Sequence, residues 1–349
     1  MNWLAGVYGF KEDTGTWLDI QGGPKHLWHP KGDIEMQGYA LFSQVSWKWT
    51  SKWEVTAGLR WDHQELSGQV VNDTTAMMPF LPPFQSFAKD LSYDEILPKI
   101  SLQYTPVPWA NLYASAAKGY QVGGYNYSMV ISDETFTYDP EYAWNYEIGV
   151  KTAFLDNHLR VNASIFYVDI TDKQIYVNNP NVSGVPMAPD INNAGKAHTL
   201  GAEIGIHANP VQGISLFANL GLLQTEIDKW SYPSKSGVID FQGNELPYSP
   251  NYTASLGGTW RLANGIFLGA DMTAMGSYYG EASNKQKQDN VELFNLRAGY
   301  EAESFDVVFW CKNVFDREYF TTLDEMPSGF LKVVEGDPRV FGVTFTYRF

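Results

Sequence analysis

The chain has no apolar run able to form a membrane-spanning helix. Its longest runs, such as Val307 to Cys311, fall far short of the roughly 18 residues such a helix needs. It has one cysteine, Cys311, so an internal disulfide is excluded. No basic cluster lies beside it, and it reads as a small apolar residue. Charge is sparse, 18% of residues against roughly 25% in an average soluble domain. The net charge of -15 argues against nucleic acid, which needs clustered Lys and Arg. Enzyme signatures are missing too: there is no Gly-x-Ser-x-Gly elbow, His-Glu-x-x-His pair, phosphate loop or dinucleotide fingerprint. Met1 is followed at once by Asn2-Trp3-Leu4, without the basic and apolar regions of a signal peptide. Either a leader was removed or the chain starts inside a longer protein.

What is abundant is aromatic residues, at 15%, and glycine, with 31 copies. The dominant period is two. Phe341, Val343, Phe345, Tyr347 and Phe349 alternate with Gly342, Thr344, Thr346 and Arg348. The same alternation sets Trp53, Val55, Ala57, Leu59 and Trp61 against Glu54, Thr56, Gly58, Arg60 and Asp62. On a membrane barrel the first set would face lipid and the second the lumen. A soluble β-sandwich also alternates, but its strands average about five or six residues, and these runs are longer.

The connections favour the barrel. About fourteen strands are expected, near residues 2–12, 34–48, 52–66, 93–105, 109–119, 140–154, 157–173, 190–208, 213–225, 249–262, 264–278, 291–301, 303–313 and 338–348. Short turns alternate with long loops at 13–33, 67–92, 120–139, 174–189, 226–248, 279–290 and 314–337. Repeated long loops are rare in soluble domains and usual on the outer side of outer-membrane barrels. This arrangement puts both termini on the periplasmic side. The expected fold is therefore all-β, a transmembrane antiparallel β-barrel occupying 1–349 as one domain.

Several segments carry a resemblance. They are Ser92-Tyr93-Asp94-Glu95-Ile96-Leu97-Pro98-Lys99, then Lys118-Gly119-Tyr120 with Gly123-Gly124-Tyr125-Asn126, and Pro140-Glu141 with Asn145-Tyr146-Glu147-Ile148-Gly149-Val150-Lys151. Further on come Asn193-Ala194-Gly195-Lys196-Ala197 with Gly201-Ala202-Glu203, Asn313-Val314-Phe315-Asp316-Arg317-Glu318-Tyr319, and Gly336-Asp337-Pro338-Arg339. In order and spacing they resemble the C-terminal half of TonB-dependent outer-membrane receptors, particularly ferric-siderophore receptors of the pesticin and yersiniabactin type. The resemblance implies outer-membrane uptake of an iron chelate in a Gram-negative bacterium, energised through TonB. The family carries an N-terminal plug with a TonB box, then a barrel of roughly 22 strands. Neither plug nor box is found in this sequence, so TonB would act only through a plug it does not contain. A plugless passive pore is the alternative function.

The resemblance also assigns roles. Arg60, Glu147, Lys151, Lys196, Glu203 and Arg317 are expected to be structural, facing the lumen and pairing with one another or with the plug. Gly149, Gly195 and Gly201 read as close-packing positions. Phe345, Tyr347 and Phe349 are similar to the family's assembly signal. Ligand contacts are expected from loop residues Trp17, His26, Trp28, His29, Phe84, Tyr120, Tyr125 and Tyr127, whose rings could stack on a flat chelate. His26 and His29 are not expected to bind metal, because no Cys or carboxylate completes a set. No cofactor is expected, since a siderophore brings its own iron ligands. Partners are outer-membrane lipid and a ferric siderophore; nucleic acid is not one, and a monomer is expected.

Overall fold

The computed structural model describes residues 1–17, 20–22, 25–73, 84–127, 130, 132–178, 189–234, 237–325 and 331–349. It is built around a 15-stranded antiparallel sheet whose path runs through fourteen long strands in chain order. These are β1 Asn2–Trp17, β2 Lys25–Lys48, β3 Trp53–Asp73, β4 Phe84–Val107, β5 Ala110–Gln121, β6 Glu141–Phe154 and β7 Leu159–Asn178. They continue as β8 Pro189–Ala208, β9 Ile214–Lys229, β10 Tyr252–Arg261, β11 Ile266–Met275, β12 Val291–Glu301, β13 Phe305–Lys312 and β14 Val340–Tyr347. The remaining strand, Ile20–Gly22, pairs only with β2. Among the described residues no ladder joins β1 to β14, so the curved wall has two edges.

Register settles which side chains share a face. One row runs Leu102, Ala114, Ile148, Ile165, Ala202, Leu222 across six strands. Leu102, Ile148, Ile165 and Leu222 are all largely exposed. So continuous an apolar surface needs an apolar solvent, which for this architecture is lipid. Aromatic pairs flank it near the short turns: Trp53 stacks on Tyr104 at 4.3 Å and Trp109 meets Phe154 at 4.9 Å. The neighbouring row, Tyr113, Gly149, Ser164, Glu203, Gly221, Thr253, is small or polar and faces inward. Inward rings lie flat over glycines of the next strand. A Cβ on Gly201 would sit 2.2 Å from the Phe166 ring, and one on Gly149 would sit 2.6 Å from that of Tyr113. The close-packing role expected of these glycines fits that geometry.

This assignment of faces predicts an asymmetry between neighbours on β14. Val343→Arg, on the lipid face, should destabilise the barrel by about 2–4 kcal/mol, whereas Thr344→Arg, on the inner face, should cost little. Equilibrium unfolding by urea from lipid vesicles reads the difference; equal losses would mean the faces are wrongly assigned.

Six tight connections join strands at one end, as expected; the link between β6 and β7 holds Leu155, Asp156 and Asn157 at positive φ. Asn2 and Tyr347 both lie at this end. The opposite end corrects two expected loops. Most of 13–33 and 67–92 is strand: β1 pairs with β2 as far as Trp17↔Lys31, and β3 with β4 as far as Asp73↔Phe84. Above lipid the outer face is wet and the apolar residues lie inside instead, Leu66 and Val70 being buried there, so the outward apolar alternation that marks strands in lipid is lost. The loops after β5, β9, β11 and β13 are true connections, each holding a two-stranded pair, and the first also holds the one-turn helix α1, Asp133–Phe136.

Candidate functional site

The inner wall carries a concavity of about 690 Å³ lined by Tyr113, Glu147, Asn162, Glu203, Asn219 and Ser255, among others. Tyr113 donates its hydroxyl proton to Glu147, and the Lys151 ammonium stands 5.3 Å from the Tyr113 ring centre. Glu203 opens to the lumen from the next row. Arg60 pairs with Asp62 on the same face and lies 5.7 Å from the ring centre of Tyr8. By register Arg60, Glu147, Lys151 and Glu203 lie on the inner face.

Lys196 is placed differently. It pairs with Thr171, in step with Leu200 opposite Tyr167, and so shares the outer face. The expectation rested on the cost of charge in lipid, but Lys196 lies above the lipid-facing row, where water pays no such penalty. Arg317 is not in a strand at all. It follows β13 in a turn organised by Asn313, whose side-chain amide donates to Arg317 O at 2.9 Å and Asp337 O at 3.0 Å. Its guanidinium donates to Asn290 O at 3.2 Å.

At the mouth the wall changes character. The ladder between β4 and β5 ends at Lys99↔Ala117. Above it, β4 continues for the whole of Phe84–Pro98 paired to β3, while β5 continues paired to β6. Side chains cross the resulting seam. Lys118 reaches Glu95 at 3.2 Å, and the Tyr142 hydroxyl donates to the same carboxylate at 2.6 Å. The Tyr120 hydroxyl donates to Asp62 at 2.7 Å and accepts from Gln64 at 2.8 Å.

Of the segment that follows, residues 122–127, 130 and 132–139 turn inward and pack on the tall part of the wall. Tyr125 is 4% exposed. Its ring lies over Gly68, where a Cβ would come within 2.6 Å. Its hydroxyl donates towards Leu66 O at 2.9 Å and Lys89 O at 2.7 Å. Burial raises the pKa of that phenol, so it remains a donor. Leu66, Val70, Val130 and Phe136 complete the cluster. A second inward cluster forms where the loop after β9 packs Trp230 and Leu246 against Ala194, Ala197 and Ile227.

The expected ligand residues therefore separate. Tyr125 and Tyr120 are engaged in the wall. Tyr127, Trp17 and Phe84 are exposed at the mouth. His29 is half-buried, 6.5 Å from the Trp17 ring. His26 and Trp28 lie in strand backbone, paired to Gln21 and Ile20, and their side chains fall outside the described residues. Among the described residues no group of three His, Cys, Asp or Glu could hold a metal ion. Sequence reasoning singled out none of Asp62, Glu95, Gln174 or Lys173. Glu95 lies within a quoted motif, whereas Asp62, Lys173 and Gln174 lie in strands away from any, with only their polarity as a signal.

Comparisons with known proteins follow the same lines. Residues 8–314 match the family model described as TonB dependent receptor-like, beta-barrel. The chain is 23% identical over 328 residues to the probable TonB-dependent siderophore receptor PiuA of Acinetobacter baumannii, covering 91% of this chain and 42% of that protein. It is 25% identical over 286 residues to the pesticin receptor of Yersinia pestis, covering 81% and 39%. The crystal structure of the ferric yersiniabactin uptake receptor FyuA from Yersinia pestis superposes with a TM-score of 0.82 at 20% identity, covering 98% of this chain and 50% of that one. The chain thus spans about two fifths of these curated relatives' length and half of that solved receptor. Its place is the outer membrane of a Gram-negative cell. With a family model matched over most of its length and a wall of the corresponding architecture, this chain belongs to the TonB-dependent receptor β-barrel family.

Proposed function

We propose that this chain forms part of the wall and the extracellular rim of a receptor that takes up metal–siderophore chelates, driven through TonB in the whole protein. The observation that carries the reading is the match of nearly the entire chain to the wall of the FyuA receptor, supported by relatives named as siderophore receptors. The inward Glu147 and Glu203 suit basic groups of a plug domain seated in the concavity. Exposed rings at the mouth, Tyr127 above all, suit a flat chelate. The protein does no covalent chemistry on this reading, works as a monomer, and carries iron only as cargo.

The test uses the longest open reading frame containing this sequence. Labelled-iron uptake from a panel of ferric siderophores is measured in cells with and without TonB. Uptake that vanishes without TonB supports the proposal. TonB-independent entry of small solutes of many kinds would instead indicate a passive pore. In the same cells Tyr127→Ala should weaken chelate binding about tenfold, the scale of one lost aromatic stack. Tyr125→Phe should leave chelate affinity unchanged, because the lost hydroxyl bonds only to the wall.

A further inference from the structure

The seam and the segment beside it form one device. The wall is continuous backbone ladder between β3 and β4 and between β7 and β8, but between β4 and β5 the ladder stops at Lys99↔Ala117. The segment leaving β5 is bonded to both flanking sectors. On one side Tyr125 docks over Gly68, and Asn72 donates to Val130 O at 2.5 Å. On the other side the amide of Asn126, itself 6% exposed, behaves as a strand residue would. Its Oδ1 accepts from Ile191 N at 2.8 Å, and its Nδ2 donates to Ile191 O at 3.1 Å and Thr135 O at 3.0 Å. Ile191 belongs to β8.

The far end of the segment is held as firmly. Gln174 of β7 donates to Val122 O at 2.9 Å and Asp139 O at 3.0 Å. Asn193 of β8 exchanges hydrogen bonds with Asp139, donating to its carbonyl at 2.9 Å and accepting from its N–H at 2.9 Å. Glu141 pairs with Lys173 at 3.0 Å. Side-chain amides thus satisfy backbone groups of this segment and of β8 in both directions where, among the described residues, no backbone ladder joins the two.

We propose that residues 122–127 and 132–141 are a fixed clasp: they close the β4–β5 seam and tie the β3–β4 sector to the β7–β8 sector, so that the two sectors move as one rim. A mouth loop free to fold over a ligand would lack such bonding; this one is part of the wall. The contact of Asn126 with Ile191 is one link to the β7–β8 sector, beside those of Gln174, Asn193 and Glu141, and Tyr125 is the anchor on β3. The proposal does not depend on what the receptor carries.

Amide hydrogen exchange on the full chain in lipid nanodiscs tests it without ligand. The Asn126 amide, donating to Phe136 O at 2.8 Å, and the Ile191 amide should exchange as slowly as wall amides. In Asn126→Ala both should exchange faster, by about tenfold or more, because two bonds to Ile191 are lost at once. In Asn126→Asp, which keeps the acceptor and loses the donor, Ile191 N–H should stay protected while the Thr135 contact is lost. Rapid exchange of the segment in the unaltered chain would overturn the proposal. So would an Asn126→Ala protein in which Ile191 keeps its protection. Heat-modifiable migration of each variant confirms that the barrel formed; if Asn126→Ala fails to assemble, the Asn126→Asp exchange pattern decides alone.

Discussion

Gly68→Val should expel the Tyr125 ring from its seat and expose residues 122–127 and 132–138 to protease on intact cells. The Cβ alone would come within 2.6 Å of the ring, and the added methyls leave the ring no room against β3. The expected loss is on the scale of unburying a large aromatic, about 3–5 kcal/mol, enough to leave the segment mostly undocked. Gly119→Ala is the control, because a Cβ there meets nothing within 4 Å. If the Gly68 variant resists protease as well as the control, Tyr125 is not the anchor the packing implies.

The second large effect concerns β14. Phe341, Val343, Phe345 and Tyr347 all stand on the lipid face, with Phe345 stacked on Phe305 at a ring separation of 6.1 Å. Phe349 continues the alternation past the strand. The family resemblance implies that this terminal aromatic pattern acts as an assembly signal. Phe349→Ser is therefore expected to reduce folded protein in the outer membrane several-fold, since unassembled chain is degraded. Arg348→Ala removes a neighbour that pairs inward with Asp306, and should reduce it far less. Heat-modifiable band intensity measures both. A Phe349 variant at normal level would remove the residue from the signal.

How much of this was legible in the sequence depends on depth in the membrane. Where a strand crosses lipid, one face must be apolar and the other need not be. The alternation of Trp53 to Trp61 or Phe341 to Phe349 therefore marks both the strand and its orientation. The tight turns were legible for the same reason: they interrupt the pattern. Above lipid the signal fades. The tops of β1 to β4 no longer carry a lipid face, and β3 buries Leu66 and Val70 on the inside instead, so the outward apolar alternation is absent there. Lys196 was misplaced by applying a lipid cost outside lipid.

The site was partly legible. The motifs containing Lys118, Tyr125, Asn126, Glu141 and Asn193 stood out as isolated strings, and Tyr125 was grouped with ligand contacts. The structure brings them together around one seam, through hydrogen bonds to backbone groups as distant in sequence as Ile191. A side chain that bonds a remote carbonyl leaves no periodic trace. An aromatic ring reads the same whether it waits for a ligand or fills a hole above a glycine.

The unequal strand lengths have a mechanical consequence. β2 and β4 run 24 residues each, while β13 and β14 run eight. At roughly 3.3 Å per residue the tall strands approach 80 Å and the short ones about 26 Å. The wall is thus a sleeve cut on the slant. Its high side is a set of cantilevers rooted in the bilayer, and the deflection of a cantilever under load grows with the cube of its free length. The high side would flex most where it is least supported, beside the seam, and that is where Tyr125 braces it.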